Sequence, residues 1–583
     1  MVRGNGSTEA LAARVREWIA ADPDPETRAE AEALLRATLE GDAAAAERLR
    51  DAFEGRLAFG TAGLRAERGA GPRRMNRVVV AQTSAGFAAY LQQRAARGQA
   101  ADPPSVVIGY DARVNSEVFA REAAEILAGA GLRVTLLPHP TPTPIAAFAV
   151  RRLGVSAGVM VTASHNPPRD NGYKVYLGDA DGGSQITPPV DGEIAELIAE
   201  VAAAPIAGIP RSTAYTVAGT EIERAYVQQT AAAVRTAPAP QPGARSLTVV
   251  YTAMHGVGGE TTRQVLAAAG LPEVIPVPEQ QEPDARFPTL AYPNPEEPGA
   301  LELAYRTGRE HQAQLIVAHD PDADRLAIAA PHPDETDGFR RLSGNELGLL
   351  LGWRAAERER AAAEREGRAP RGALANTIVS SPALGAVARA YGLTHVETLS
   401  GFKWVSRVPE LLFGYEESLG YLSTPGVLHD KDGISAAGEA LAMARELHAA
   451  GRTVWDRLAE ASERFGHYAS TQVVLRLGSN REAARLTGRM RQAPPAAFGG
   501  VPVRHHRDLS RPGAAAAPAD VLAYDLEDGS RVMVRPSGTE PKLKVYLDAC
   551  CTSGSAAERR TAAEGALAPI ERAVRAYLEE VRS

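Results

Sequence analysis

Ser164 stands in Val161-Thr162-Ala163-Ser164-His165-Asn166-Pro167, a segment with the composition of a tight turn. A serine hydroxyl is a weak nucleophile and needs a base, a metal or a strained presentation before it reacts. Far downstream, Asp320-Pro321-Asp322-Ala323-Asp324-Arg325 alternates three carboxylates. At that spacing they repel one another unless a cation sits among them. Hard oxygen donors suit Mg2+, which also takes phosphate oxygens as partners. An acidic turn or a calcium loop is the rival reading, but an EF-hand needs glycine where Arg325 stands. A serine near a carboxylate-held cation points to phosphate moving on and off that serine.

Further segments extend this reading. Arg535-Pro536-Ser537-Gly538-Thr539-Glu540-Pro541-Lys542 supplies a guanidinium, two hydroxyls, a glycine that opens backbone amides, and a lysine. These are the parts of a phosphate cradle; a β-turn with surface charges is the plain alternative. In Gly414-Tyr415-Glu416-Glu417-Ser418, Glu416 and Ser418 alternate. On a strand they face one way and can accept and donate hydrogen bonds to vicinal sugar hydroxyls. Thr398-Leu399-Ser400-Gly401-Phe402-Lys403-Trp404 is a polar turn carrying the cation Lys403, and Phe59-Gly60-Thr61-Ala62-Gly63-Leu64-Arg65 is a glycine-rich turn ending in arginine. Gly-Lys-Ser/Thr is missing from the latter, and no Gly-x-Gly-x-x-Gly opens a helix, so nucleotide loops of both kinds are excluded. The hydrolase signature Gly-x-Ser-x-Gly is absent as well. His165 follows Ser164 directly, and sequence neighbours usually point apart. Arg325 can pair with a carboxylate or with phosphate, and both options stay open.

The positioning elements follow from hydrophobic patterning. Residues 8–57 read as helices broken at Asp22-Pro23-Asp24-Pro25. Residues 106–110 form a short apolar run, a buried parallel strand by pattern, ending at Asp111. Asn115 is expected to cap the next helix. Strands follow at 133–137 and 158–161, and Ser164 lies just past the second of these, where open α/β sheets gather ligands. The pattern repeats with a strand at 247–251, a helix at 258–269 and a strand at 315–318, and again after Ser343-Gly344-Asn345, read as a stop. Weak similarity between these βα units hints at duplication. Strands at 472–477, 531–534 and 543–547 and a helix from about 556 make a last unit of another kind.

The bulk composition agrees. At 583 residues the chain exceeds one ordinary domain. Its 44% hydrophobic and 23% charged residues are those of a globular protein, and aromatics of only 5% leave room for abundant helix. A net charge of −7 gives no reason to expect nucleic acid or an anionic membrane as partner, so cations for an anionic substrate must be gathered locally. The two cysteines, Cys550 and Cys551, are adjacent and fit neither a bridge nor a metal spacing. No signal core and no spanning apolar run is found, and the expected location is cytoplasmic.

Taken together, these segments and their order resemble the α-D-phosphohexomutase superfamily over roughly residues 55–580. Asp-Pro-Asp-Ala-Asp-Arg, Ser400-Gly401-Phe402-Lys403-Trp404 and Asp170-Asn171-Gly172-Tyr173-Lys174-Val175-Tyr176 look like the branch that includes phosphopentomutases and bacterial phosphoglucomutase/phosphomannomutase-like enzymes. The resemblance implies an α/β protein of four domains around a central cleft: three mixed α/β sandwiches plus a C-terminal α+β sheet-and-helix domain. The implied parts are a helical extension at 1–54 and domains at 55–210, 211–338, 339–465 and 466–583. They would carry the phosphoserine, metal, sugar and phosphate loops in that order. Ser164 would be a phosphoserine, with Mg2+ held by Asp320, Asp322, Asp324 and a Ser164 phosphate oxygen. Lys174 and Arg65 match positions near the phosphoserine, with His165 a rival acid or base. Glu416, Ser418, Lys403, Arg325, Arg535, Ser537, Gly538, Thr539 and Lys542 would bind substrate. The implied reaction interconverts hexose 1- and 6-phosphates through a bisphosphate that turns round, with glucose preferred and glucose 1,6-bisphosphate as activator. Phosphomannomutase and phosphopentomutase are the alternatives. A metal-dependent sugar phosphatase and an inactive sugar-phosphate-binding homologue are the rivals of other classes. The expected partner is a small phosphosugar, with the protein a monomer or dimer.

Overall fold

The computed structural model describes residues 5–234, 246–511, 518–536 and 542–582. They fall into two compact units. One takes in the chain up to 234 with Thr248–Arg340 and Thr424–Gly438; the other holds Arg341–Ser423 and the described residues from Glu439 onward.

The first unit begins with helices Asn5–Ala21, Pro25–Leu39 and Ala43–Phe53. The break between the first two is built by the aspartates that predict it. Asp22 Oδ2 accepts from Trp18 Nε1 (3.1 Å) and Thr27 Oγ1 (2.6 Å), while Asp24 caps the second helix through Glu26 N (2.9 Å). Leu11, Val15, Leu34, Leu49 and Phe53 close a small core of their own.

The sheet that follows runs Leu64–Glu67, Asp170–Leu177, Ala157–Val161, Ser105–Tyr110, Arg133–Leu136, Thr216–Val217. Its edge strand Thr216–Val217 carries it past residue 210. Ser105–Tyr110 is buried along its whole length between parallel neighbours, which is why it reads as a continuous apolar run. The second sheet runs Phe339–Arg341, Leu326–Pro331, Leu315–His319, Val249–Thr252, Val274–Pro276.

In the second unit a four-stranded sheet runs Thr394–Thr398, Ala373–Thr377, Leu411–Glu416, Gly420–Leu422. The C-terminal sheet has six strands, all paired antiparallel, with helices Asn480–Gln492 and Ala556–Arg582. The described residues thus hold three mixed α/β sheets and a fourth, antiparallel sheet with helices.

The three mixed sheets share one topology. In each, the first of the parallel strands, Ser105–Tyr110, Val249–Thr252 or Ala373–Thr377, has parallel neighbours on both sides. The third strand then turns through a short loop into an antiparallel partner. Those three equivalent loops carry Ser164, Asp320 to Arg325, and Glu417 to Ser418. The repeated βα pattern read from the sequence thus corresponds to a shared strand order.

Two local expectations change. Asn115 precedes helix Ser116–Gly129 but has φ 68° and makes no capping bond; Ser116 Oγ instead donates to Asp111 Oδ1 at 2.6 Å. Ser343 is a start, not a stop. Its hydroxyl accepts from Glu346 N (3.1 Å) and Glu346 returns a bond to Ser343 N (2.7 Å), a capping box opening helix Gly344–Glu366.

Within the second unit, Arg531 ties the C-terminal sheet to the sheet before it. The guanidinium donates to Asp548 Oδ2 (2.8 Å), Glu397 Oε1 (3.2 Å) and the Ser380 carbonyl (2.6 Å). Asp548 is buried, and burial pushes its pKa up against the pull of Arg531. Arg531→Met should therefore destabilise this unit by about 3–5 kcal/mol. An unchanged denaturant midpoint would contradict that.

Candidate active site

The serine loop starts where two parallel strands of the first sheet end. Thr162, just past Ala157–Val161, donates to Asp111 Oδ2 (2.6 Å), just past Ser105–Tyr110. Its hydroxyl also accepts from Ser164 N (2.9 Å). Asp111 is buried, which raises its pKa against Arg113, Ser116 and Thr162. Ser164 itself adopts φ 54°, a left-handed conformation that costs a non-glycine residue about 1–2 kcal/mol. That conformation makes neighbours meet: Ser164 Oγ lies 3.3 Å from His165 Nδ1, contrary to the expectation that adjacent side chains diverge. Burial, followed by the positive Arg325 and Arg65, holds the His165 pKa well below its ordinary value.

Arg65 reaches this loop because Leu64–Glu67 pairs with Asp170–Leu177, setting Arg65 opposite Gly172. Its Nη1 donates to Asn166 Oδ1 at 3.1 Å. The approach depends on Gly63, at φ 74°, where a Cβ would stand 1.8 Å from the Tyr173 carbonyl oxygen.

The aspartate loop leaves Leu315–His319. Asp320, Asp322 and Asp324 are fully buried, and one ligand oxygen from each lies within 4.8 Å of the others. Ser164 Oγ donates to Asp320 Oδ2 at 2.8 Å, so the two loops meet atom to atom. Lys174 Nζ donates to Asp322 Oδ2 (2.7 Å) and Asp324 Oδ2 (2.8 Å). Arg325 Nε approaches Asp320 Oδ2 (3.9 Å) and Asp324 Oδ1 (3.8 Å), so in this structure the arginine faces carboxylates.

Sequence reasoning missed two members of this cluster. Lys431 Nζ donates to Asp324 Oδ2 at 2.8 Å. Thr143, at the start of helix Thr143–Leu153, donates its hydroxyl to Asp322 Oδ2 (2.6 Å) and its amide to the Asp322 carbonyl (2.9 Å). Lys431 sits in Asp430-Lys431-Asp432, which looks like a solvated charge run. The signal that could have found it is the apolar helix, Gly433–Ala449, that follows at once. Its flanking aspartates are anchored too: Asp430 Oδ2 accepts from Tyr176 Oη (2.9 Å) and Asp432 Oδ1 from Tyr226 Oη (2.9 Å).

The charges are not balanced evenly. Burial pushes the Asp324 pKa up, but Lys174, Lys431 and Arg325 outweigh it and hold the carboxyl far below its usual range. Asp322 is likewise held low, by Lys174 and Thr143 against burial and Asp324. Asp320 goes the other way, raised well above the usual range by burial and then by Asp322 and Asp324. Asp322 Oδ1 and Asp324 Oδ1 are buried without a hydrogen-bond partner. Two unsatisfied carboxylate oxygens and a third carboxyl starved of positive charge fit a small, hard divalent cation.

The remaining predicted residues lie in the second unit. Glu416 ends strand Leu411–Glu416, opposite Gly420. Ser418 Oγ donates to Glu417 Oε1 at 3.2 Å, and Glu417 Oε2 accepts from Thr377 and Ser380, both at 3.2 Å. Lys403 lies in the short helix Phe402–Val405, behind Gly401 at φ 108°. Arg535 and Lys542 occupy neighbouring antiparallel strands, and Ser537, Gly538 and Thr539 lie outside the described residues. Tyr546 neighbours both Glu417 and Arg535. Its phenol pKa is raised well above normal by burial, with Glu417 and Arg535 its charged neighbours.

Family models match the chain in four consecutive stretches: phosphoglucomutase/phosphomannomutase α/β/α domain I at 56–204, domain II at 224–333, domain III at 343–465 and the C-terminal domain at 503–565. A Haemophilus influenzae protein named "Probable phosphomannomutase" is 47% identical over 82% of this chain and 93% of its own. A human phosphopentomutase is 33% identical over 95% and 93%. A phosphoglucomutase/phosphomannomutase family protein from Burkholderia thailandensis superposes with a TM-score of 0.66 at 18% identity, over 91% of this chain and 98% of its own, and so shares the fold. The serine loop, the aspartate triad and the four sheets belong together for this reason: the chain is a member of the phosphoglucomutase/phosphomannomutase family of phosphosugar mutases.

Proposed function

We propose that Ser164 carries the phosphoryl group in the interconversion of a hexose 1-phosphate and the hexose 6-phosphate, with glucose as the preferred sugar. The observation that carries this reading is the 2.8 Å contact between Ser164 Oγ and Asp320 at the edge of a buried carboxylate triad. Asp320, Asp322, Asp324 and a phosphoserine oxygen would hold Mg2+. When bound, that ion neutralises charge on the transferring group. A hydroxyl oxygen of the sugar monophosphate forms the new P–O bond as the Ser164 Oγ–P bond breaks. The hydroxyl proton passes to a base of the site, and Ser164 Oγ takes up a proton as it leaves. The bisphosphate then turns round; Ser164 Oγ gives up its proton and bonds to the other phosphorus while the bond from that phosphorus to the sugar oxygen breaks and the sugar oxygen takes up a proton. His165, 3.3 Å from Ser164 Oγ, is placed to exchange the serine proton in both directions. Lys174 and Arg65 hold the aspartates and the serine loop beside it.

Glu416 and Ser418 are assigned to sugar hydroxyls. Lys403, Arg535, Ser537, Gly538, Thr539 and Lys542 are assigned to the phosphate that is not being transferred. Arg325 is assigned to the reacting phosphate once a cation has taken up the aspartate charge. The glucose preference rests on the Gly-x-Glu-x-Ser pattern. The names of the relatives keep mannose and pentose phosphates as competing substrates.

The test is turnover of the 1-phosphates of glucose, mannose, glucosamine and ribose with Mg2+, with and without glucose 1,6-bisphosphate. The expected result is isomerisation stimulated by the bisphosphate, fastest with glucose. Stoichiometric release of free phosphate would support a phosphatase instead.

A further inference from the structure

Four carbonyl oxygens of the serine loop converge on one guanidinium. Arg113 donates through Nη2 to the carbonyls of Ser164 and Asn166 (2.7 Å for the latter), and through Nη1 to those of Pro167 (2.9 Å) and Asp170 (3.3 Å). Converging carbonyl dipoles repel one another unless a cation is fixed among them. The planar fork of arginine matches such an array, whereas the single ammonium of lysine cannot span it. The fork is held on two further sides. Asp111 Oδ2 lies 3.4 Å from Nε, and the Phe287 ring lies under the guanidinium with its centroid 4.9 Å from Cζ. Arg113 is 4% exposed, and its Nη donors are taken up by loop carbonyls. It has neither the access nor a free fork with which to bind substrate phosphate.

We infer that Arg113 is a positioning residue: it fixes the turn that presents Ser164 Oγ to Asp320, and Phe287 braces it. The inference rests on the reading of Ser164 as the phosphoryl carrier. Ser164 stays in the left-handed region only while the loop around it is over-determined, and Arg113 is bonded to that residue's own carbonyl. Releasing the fork would let the turn relax and swing the hydroxyl away from the aspartates. A displacement of about 1 Å at a reacting atom costs roughly 100-fold in rate.

The experiment compares wild type, Arg113→Lys and Phe287→Leu in steady-state mutase assays with Mg2+ and bisphosphate activator, alongside melting curves. Arg113→Lys keeps the positive charge beside Asp111 but loses the fork. Its kcat should fall about 10–100-fold while KM stays within about threefold of wild type. Phe287→Leu should lower kcat about 3–10-fold, again with KM held. A folded Arg113→Lys protein with wild-type kcat, or one in which KM alone rises, overturns the inference, because charge alone would then suffice. If Arg113→Lys does not fold, Phe287→Leu decides: a lowered kcat supports the brace and a wild-type kcat overturns it. A wild type inactive on every sugar phosphate removes the functional reading itself, and this inference with it.

Discussion

Replacing Ser164 by alanine is expected to lower mutase turnover by on the order of 10⁴-fold or more, the scale seen when a nucleophile is removed outright. The fold should survive. The side chain makes one donor bond, to Asp320, and one contact with His165. Losing a single buried hydrogen bond costs about 1–3 kcal/mol. Asp320 keeps a second donor when the hydroxyl is lost, because the Arg325 amide donates to its Oδ1 at 3.1 Å. The measurement is kcat on a sugar 1-phosphate with saturating bisphosphate, beside the melting temperature. A folded variant within tenfold of wild type would reduce Ser164 to a turn residue.

The second large effect separates two aspartates that look alike in sequence. Asp324 Oδ2 accepts from both Lys174 and Lys431, at 2.8 Å each. Asp324→Asn leaves two buried ammonium groups short of a counter-charge, and breaking a buried pair in this way costs about 3–5 kcal/mol even without metal. Asp320 is different. Burial and its two aspartate neighbours disfavour its charged form, so an uncharged amide there removes repulsion rather than a counter-charge. Asp320→Asn should melt like wild type in chelator. Yet it should lose the upward shift that Mg2+ gives the wild type, because a ligand stabilises only the state that binds it. Turnover of Asp320→Asn should fall by on the order of 10³-fold. Melting curves in chelator and in Mg2+ give the first two results directly. An Asp320→Asn protein still stabilised by Mg2+, or an Asp324→Asn protein as stable as wild type in chelator, would contradict the charge balance described here.

The residues most legible in sequence were those whose types conflict with their surroundings. Three alternating aspartates demand a counter-charge, and a serine among turn formers just past an apolar strand demands a reason. Both signals are local, and the structure joins them at Asp320. What stayed hidden was supplied from a distance. Lys431 looks solvated between Asp430 and Asp432 until tyrosines from helix Glu221–Val234 and strand Asp170–Leu177 take up those carboxylates. Thr143 is one threonine among prolines, with nothing to mark the aspartate its hydroxyl meets. Arg113 follows a strand end like many surface arginines, and its four carbonyl partners lie in and just after a loop beyond four further elements. Alternation singles out Glu416 and Ser418 and says nothing of Glu417 between them, whose carboxylate accepts from Thr377 and Ser380 of distant segments. Strand positions were legible from apolar runs closed by turn residues. Their order across the sheets was not, because pairing partners are set by packing and crossover handedness rather than by any one segment.

The central claim is that Ser164 is the residue through which phosphate passes from one end of the sugar to the other. It is tested most directly by incubating the protein and its Ser164→Ala variant with radiolabelled sugar bisphosphate and Mg2+, locating the label by peptide mass spectrometry, and then adding unlabelled sugar monophosphate. The account predicts one phosphoryl group on the peptide containing Ser164, none on the variant, and transfer of the label to sugar at the rate of turnover. Label on another residue, or label that leaves only as free phosphate, would contradict it.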